Sequence, residues 1–263
     1  MKNHPDPIKP VIGIAKTYVA MKQHDKAVAV CDEYLADRPN DFRLSMIKAE
    51  ILIREGKSKE GEAILEKMIS ENPDSTTPLM VMAHVNRRKR DYSRALEYNL
   101  KAIEVSPKNL EARMGIAGIH LEMGDFDAAV KAYEDLLKIN DSYGPAANNL
   151  AYLYAEQGKN LDRAVELANK AKELMPENPD IADTLGYVYL KKGSFLLAKK
   201  AFNEGIRLSP NNPLLHYHLG LLFYEEKDFS SATLELQTAL KLGLGQKEKG
   251  EIEEVLKKMR EKK

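Results

Sequence analysis

What this chain lacks removes several classes of protein at once. It has one cysteine, Cys31, so no intrachain disulfide can form, and thiol usage says little about compartment. Neither sign of charge prevails, because 40 Lys and Arg side chains face 40 Asp and Glu. Chains that grip nucleic-acid phosphates carry a basic excess, so no nucleic-acid partner is expected. No run of 18 apolar residues occurs, and therefore no membrane span. A glycine-rich phosphate loop, a nucleophile elbow and a His-Glu-x-x-His pair are all missing. His216 and His218 flank Tyr217 two residues apart, which points them to different sides of a helix, and no Cys or acidic partner completes a zinc set. His120 stands alone in the sequence. No catalytic residue, metal or cofactor is expected, and the chain reads as a non-enzyme. The start, Met1-Lys2-Asn3-His4-Pro5, has no secretory apolar stretch, which favours the cytoplasm. A leader removed upstream would instead leave the periplasm open.

What is present is a period. Ala15, Ala49, Ala83, Ala117 and Ala151 recur at intervals of 34, followed by Gly186 and Gly220. A fixed spacing of this size marks stacked supersecondary units that cannot bury their apolar faces alone. Taking each anchor as the eighth position places the starts at Ile8, Phe42, Thr76, Leu110, Gly144, Pro179 and Pro213. Stripes such as Leu185, Gly186 and Tyr189 follow helical spacing. Breaks fall at Gly56, Gly124, Gly158 and Gly193. A second amphipathic segment then begins near Ala27, Ala95, Ala129, Ala164, Ala198 or Ala232. It stops before Pro39, Pro73, Pro107, Pro176 or Pro210, where a missing N–H and a rigid ring prevent continuation. Each unit therefore reads as two antiparallel helices, with Asn, Asp or Ser beside the prolines available as caps.

The series Leu185-Gly186-x-x-Tyr189, Gly193, Ala198, Phe202, Gly205, Pro210 resembles the tetratricopeptide repeat. The resemblance runs over about seven units, from Ile8 to Gly245, and is strongest in the last four. The usual tryptophan near position four is absent, and Lys48 and Asn86 occupy normally apolar sites. One extra residue within 158–162 accounts for the single interval of 35. The resemblance implies an all-α, right-handed superhelix of helix pairs whose first helices line a concave, peptide-binding groove. Residues 1–245 are assigned to repeats and 246–263 to a C-terminal capping helix, with Ile252, Val255, Leu256 and Met259 as its apolar stripe. No comparable cap precedes Ile8, so either further repeats lie upstream or the first unit packs on another molecule, which leaves oligomerisation open.

In this family, positions two, five, nine, twelve and thirteen of the first helix face the groove. Position five holds Met46, Met80 and Met114 in succession, a flexible apolar strip suited either to varied ligands or to core filling. Farther along, Asn148, Asn149, Tyr152, Asp183, Tyr187, Tyr217 and Tyr224, with Thr184 and Glu225, offer amides, hydroxyls and aromatic faces to a peptide. His84 and Arg87 join the candidate groove set. The run Arg87-Arg88-Lys89-Arg90 could clamp a carboxylate, although cations at a helix C-terminus also favour the macrodipole. Asn148-Asn149-Leu150-Ala151 is similar to the asparagine repeats of O-linked N-acetylglucosamine transferase, but the ladder does not recur. No lysine occupies position five, which disfavours binding of a C-terminal chaperone tail.

The leading expectation is a scaffold that binds a protein or peptide partner. The alternative is a repeat segment of a larger bacterial secretion or polysaccharide-assembly lipoprotein, or of a glycosyltransferase, with its active part elsewhere. An RNA-binding helical repeat is a third reading, but the chain shows neither a base-reading code nor positive charge.

Overall fold

The structure, a computed structural model, describes residues 8–261. Among the described residues there are fifteen α-helices and no strand. Odd-numbered helices begin where the period places them: α1 Ile8–Ala20, α3 Phe42–Arg54, α5 Thr76–Arg88, α7 Leu110–Glu122, α9 Gly144–Gln157, α11 Pro179–Lys191 and α13 Pro213–Glu225. Their partners are α2 His24–Asp37, α4 Ser58–Glu71, α6 Tyr92–Val105, α8 Phe126–Ile139, α10 Leu161–Leu174, α12 Phe195–Leu208 and α14 Phe229–Leu242, followed by α15 Gln246–Glu261.

The chain divides into two compact units, Met1–Asp125 and Phe126–Lys263. In the first, α1 packs on α2 and α3, α3 on α4, and α5 on α4, α6 and α7. In the second, α11 packs on α9, α10, α12 and α13, while α15 lies against both α13 and α14. Thus α1, α3, α5, α9, α11 and α13 each touch their own hairpin partner, and α1, α5, α9, α11 and α13 also touch the next odd helix along.

Small residues make this packing close. The eighth-position alanines Ala15, Ala49, Ala117 and Ala151 are wholly buried, as are Ala27, Ala95, Ala129, Ala164, Ala198 and Ala232 in the second helices. Gly61 fills the equivalent place in α4, where an added Cβ would lie 2.8 Å from the Ala49 carbonyl oxygen. At Gly186 a Cβ would come within 2.5 Å of the Phe202 ring, so the missing methyl is where that ring sits.

The turns inside the hairpins share one conformation. Lys22, Gly56, Arg90, Gly124, Gly158, Gly193 and Lys227 all have positive φ, between 57° and 86°. Beyond each, the next N–H donates to a carbonyl five residues back: Gln23 to Tyr18, Lys57 to Leu52, Asp91 to Asn86, Asp125 to His120, Lys159 to Tyr154, Ser194 to Tyr189 and Asp228 to Phe223, at 2.8–3.0 Å. This is the left-handed helix stop that glycine suits, yet three of the seven positions carry Lys or Arg. The inserted residue after Gly158 produces a second positive-φ residue, Asn160.

Prolines 39, 73, 107, 176 and 210 each follow the C-cap residue of an even helix directly. Of the polar residues beside them, Asp41 and Asn178 cap the following helix through backbone N–H groups at 3.0 and 2.9 Å. Asn72, Ser106 and Ser209 close the preceding helix instead. The two sites that depart from the apolar pattern are satisfied locally: the Asn86 side chain donates to the Met82 carbonyl at 2.8 Å, and Lys48 pairs with Asp32. In α15, Ile252 and Met259 are buried, and Val255 and Leu256 are half-buried.

Candidate functional site

In the second unit, α9, α11, α13 and α15 surround a hollow of about 820 Å³. Its wall includes residues two, five, six, nine, twelve and thirteen positions into these odd helices, the pattern made when successive first helices turn the same stripe to one side. Tyr152 and Tyr187 stack with ring centroids 5.4 Å apart. The His218 imidazole of α13 lies 4.7 Å from the Tyr187 ring and 5.0 Å from that of Tyr217.

Carboxylates hold these rings in place. Glu156 accepts a hydrogen bond from the Tyr187 hydroxyl at 2.6 Å and a longer one from Tyr152 at 3.3 Å. The Tyr217 hydroxyl donates to Glu251 of α15. His218 Nδ1 lies 2.8 and 3.0 Å from the two oxygens of Asp183, and both side chains are buried. Because an ionised carboxylate only accepts, Nδ1 carries the proton. Burial, then the bond to Glu156, pushes the Tyr187 phenol well above its ordinary range, and burial followed by Glu251 does the same to Tyr217. Burial alone would raise Glu156. The Tyr187 hydroxyl, Lys247, Lys191 and Tyr152 outweigh that and hold it below the usual carboxylate range.

Four of the candidates named from sequence, Tyr152, Asp183, Tyr187 and Tyr217, thus line one hollow together with Thr184 and Glu225. Asn148 and Asn149 are half-buried one helical turn before Tyr152; Asn148 donates to Asn149 at 3.4 Å, and Asn149 donates to the Tyr133 hydroxyl at 3.1 Å. Tyr224 turns elsewhere, with its ring 6.1 Å from Phe229.

In the first unit, His84 and Arg87 line a separate hollow of about 620 Å³ with Arg88, Arg90, Tyr92 and Glu122. Arg87 does clamp a carboxylate, but an internal one. Its Nε and Nη2 donate to Glu122 at 2.9 and 2.7 Å. Met46 is buried in a cluster with Ala49, Leu65, Met68 and Met82, because the hairpins close over it. Met80 is half-buried against Leu79, Ala102 and Ala112, and Met114 is half-buried as well.

Glu156, His218, Lys247 and Glu251 were missed by sequence reasoning. The first three have no mark beyond their type, and Glu251 reaches the wall only because α15 folds back onto α13. His218 and His216 each gain one acidic partner in the structure: Asp183 for His218, and Glu235 for His216 at 2.7 Å. His120 Nδ1 lies 3.9 Å from Asp125. No group of three His, Cys, Asp or Glu that could hold a metal ion occurs among the described residues.

This arrangement of hairpins has known counterparts. The family profiles described as tetratricopeptide repeat and TPR repeat match residues 86–151, 120–186 and 186–227, together just over half of the chain. The chain belongs to the tetratricopeptide-repeat family. A solved tetratricopeptide-repeat protein from Parabacteroides merdae superposes with a TM-score of 0.66 at 18% identity, covering 95% of this chain and 97% of that one. YrrB, described as a TPR protein with an unusual peptide-binding site, gives a TM-score of 0.55 at 18% identity over 70% of this chain and 94% of that one. Among curated relatives, a BBSome complex member homolog of Drosophila melanogaster is 24% identical over 61% of this chain. A TPR repeat-containing protein of Pseudomonas aeruginosa is 24% identical over 77%. The chain spans about a third of the length of these two relatives, 33% and 34%. These likenesses fix the tetratricopeptide fold, an α-helical solenoid whose general use is contact with other proteins. No helix among the described residues is long and apolar enough to cross a membrane.

Proposed function

We propose that the chain is a non-enzymatic scaffold whose odd-helix face holds a peptide segment of a partner protein. The division belongs to the same reading: seven hairpin repeats over 1–245 and a capping helix over 246–263. The observation that carries it is the convergence of Tyr152, Asp183, Tyr187 and Tyr217 on one open hollow, where aromatic faces and polar tips are available to a chain laid across them. Asn148 and Asn149, one helical turn before Tyr152, and Tyr224, next to Glu225 in sequence, belong to the same proposed peptide-binding set. In the first unit, half-buried Met80 and Met114 offer apolar contact, and His84 and Arg87 line a hollow with Glu122, while Met46 belongs to the buried core. Peptide binding is also what is said of YrrB, a neighbour in fold.

Site-specific photo-crosslinking tests the reading. A crosslinker in place of Tyr152 should capture partner peptides from the native extract. The same group in place of Leu196, which is exposed on an even helix, should not. Equal capture at both sites, or capture at Leu196 alone, would count against the groove.

A further inference from the structure

We infer that the groove of the second unit takes a cationic segment of a partner protein, an extended stretch bearing spaced Lys or Arg side chains. The inference rests on the peptide-scaffold reading above and names its ligand class. Six carboxylates line the hollow, Glu156, Asp180, Asp183, Glu225, Glu248 and Glu251, against two lysines, Lys191 and Lys247. The chain as a whole is neutral, so this is a local excess of negative charge.

The bonds already made within the groove do not cancel that charge. Glu156 and Glu251 are bonded by tyrosine hydroxyls, which fill acceptor sites yet bring no positive charge. Burial keeps those phenols neutral far above ordinary pH, and Glu156 keeps its proton off. The result is a row of anions set beside aromatic faces, in a hollow where a cation is attracted more strongly than on open surface.

The groove's own lysines occupy the places that such a ligand would use. Lys247 Nζ lies 3.9 Å from oxygens of both Glu156 and Glu251, and Lys191 Nζ stands 5.1 Å from the centre of the Tyr187 ring. Lys247 is 72% exposed and comes from the rim of α15, so an incoming side chain can displace it with little loss of packing. Lys or Arg stems would lie along the Tyr152–Tyr187 stack while their heads meet the carboxylates.

The test uses the whole chain and three pools of random decapeptides, fixed at alternate positions as Lys/Arg, Asp/Glu or Ser/Gln, with affinity read by fluorescence anisotropy. The Lys/Arg pool should bind at least tenfold more tightly than the others and weaken as salt rises. The combined variant Glu156→Gln, Glu248→Gln, Glu251→Gln keeps one acceptor oxygen at each position while removing the charge, and should lose that preference, with folding checked by circular dichroism. Lys247→Ala should strengthen Lys/Arg binding several-fold, and this variant does not depend on the first one folding. Glu253→Gln and Glu254→Gln, outside the groove, should change nothing. Equal or tighter binding of the acidic or neutral pool, abolished by Tyr152→Ser, would overturn the cationic ligand while leaving a peptide groove standing. Failure of every pool to bind would sink both.

Discussion

Asp183 of α11 and His218 of α13 are joined in the interior, with Nδ1 facing both carboxylate oxygens and exposures of only 8% and 6%. The imidazole also packs 6.0 Å from Phe202, so it links the polar wall of the groove to the hydrophobic core behind it. Removing the ring by His218→Ala would leave a buried carboxylate without its donor and open a cavity. Breaking such a pair by deleting one partner costs about 3–5 kcal/mol. Urea unfolding should show that loss, whereas His216→Ala, whose partner Glu235 is more exposed, should cost much less. Equal losses in the two variants would rule out a special role for the Asp183–His218 contact.

The seven hairpin turns allow a paired test of backbone strain. Gly193 and Lys227 hold the same turn position in successive hairpins, with φ of 75° and 64°. A Cβ at Gly193 would meet nothing within 4 Å, so only the backbone responds to substitution there. A left-handed conformation costs an L-residue about 1–2 kcal/mol, partly offset by the unfolded-state entropy of glycine. Gly193→Ala should therefore lower the melting temperature and Lys227→Gly should raise it, each by the equivalent of about 1 kcal/mol or less. Shifts of the same sign in both would contradict the conformation described.

The same turns explain what could be read from sequence and what could not. Helix starts were legible because small residues recur where backbones meet: Ala15, Ala49 and Gly186 mark the register by what they lack. Four of the seven turn positions were legible as Gly56, Gly124, Gly158 and Gly193. Lys22, Arg90 and Lys227 were not, because nothing in a lysine or arginine announces positive φ. In the site, Tyr152, Asp183, Tyr187 and Tyr217 follow from register alone. Glu156, His218 and Glu251 do not, since their roles arise from contacts 31 to 35 residues apart and from the packing of α15 on α13. Periodicity reports which side of a helix a residue occupies; it is silent on which partner waits there.

Gly186 differs from the alanines at equivalent places because Phe202 fills the space. Gly186→Ala would put a methyl 2.5 Å from two ring carbons, deep in the core, where the ring has little room to turn. Overpacking of this kind costs about 1–3 kcal/mol. Combining it with Phe202→Leu should cost less than the sum of the two single changes, because the smaller side chain makes room. Additive losses in thermal unfolding would show that the two residues do not compete for that volume.

The tyrosines of the second unit set an alkaline limit on stability. Burial, with the carboxylate bonded to the hydroxyl acting in the same direction, raises Tyr154 from 10.0 to about 12 and pushes Tyr152, Tyr187 and Tyr217 higher still. A group whose folded pKa lies above its unfolded value binds its proton more tightly when folded. Its contribution is complete below the unfolded pKa, near 10.0, and is lost as pH rises through the folded value. Stability should therefore be insensitive to these phenols up to about pH 10 and fall steeply between there and pH 12. Phenolate absorbance recorded alongside circular dichroism should show exposed tyrosines ionising first, and a delayed group whose ionisation coincides with loss of helix. Replacing Glu156 by Gln should bring the Tyr187 transition to lower pH, since the nearby negative charge is gone. An unshifted titration in that variant would mean burial alone sets the phenol, and that Glu156 adds nothing to it.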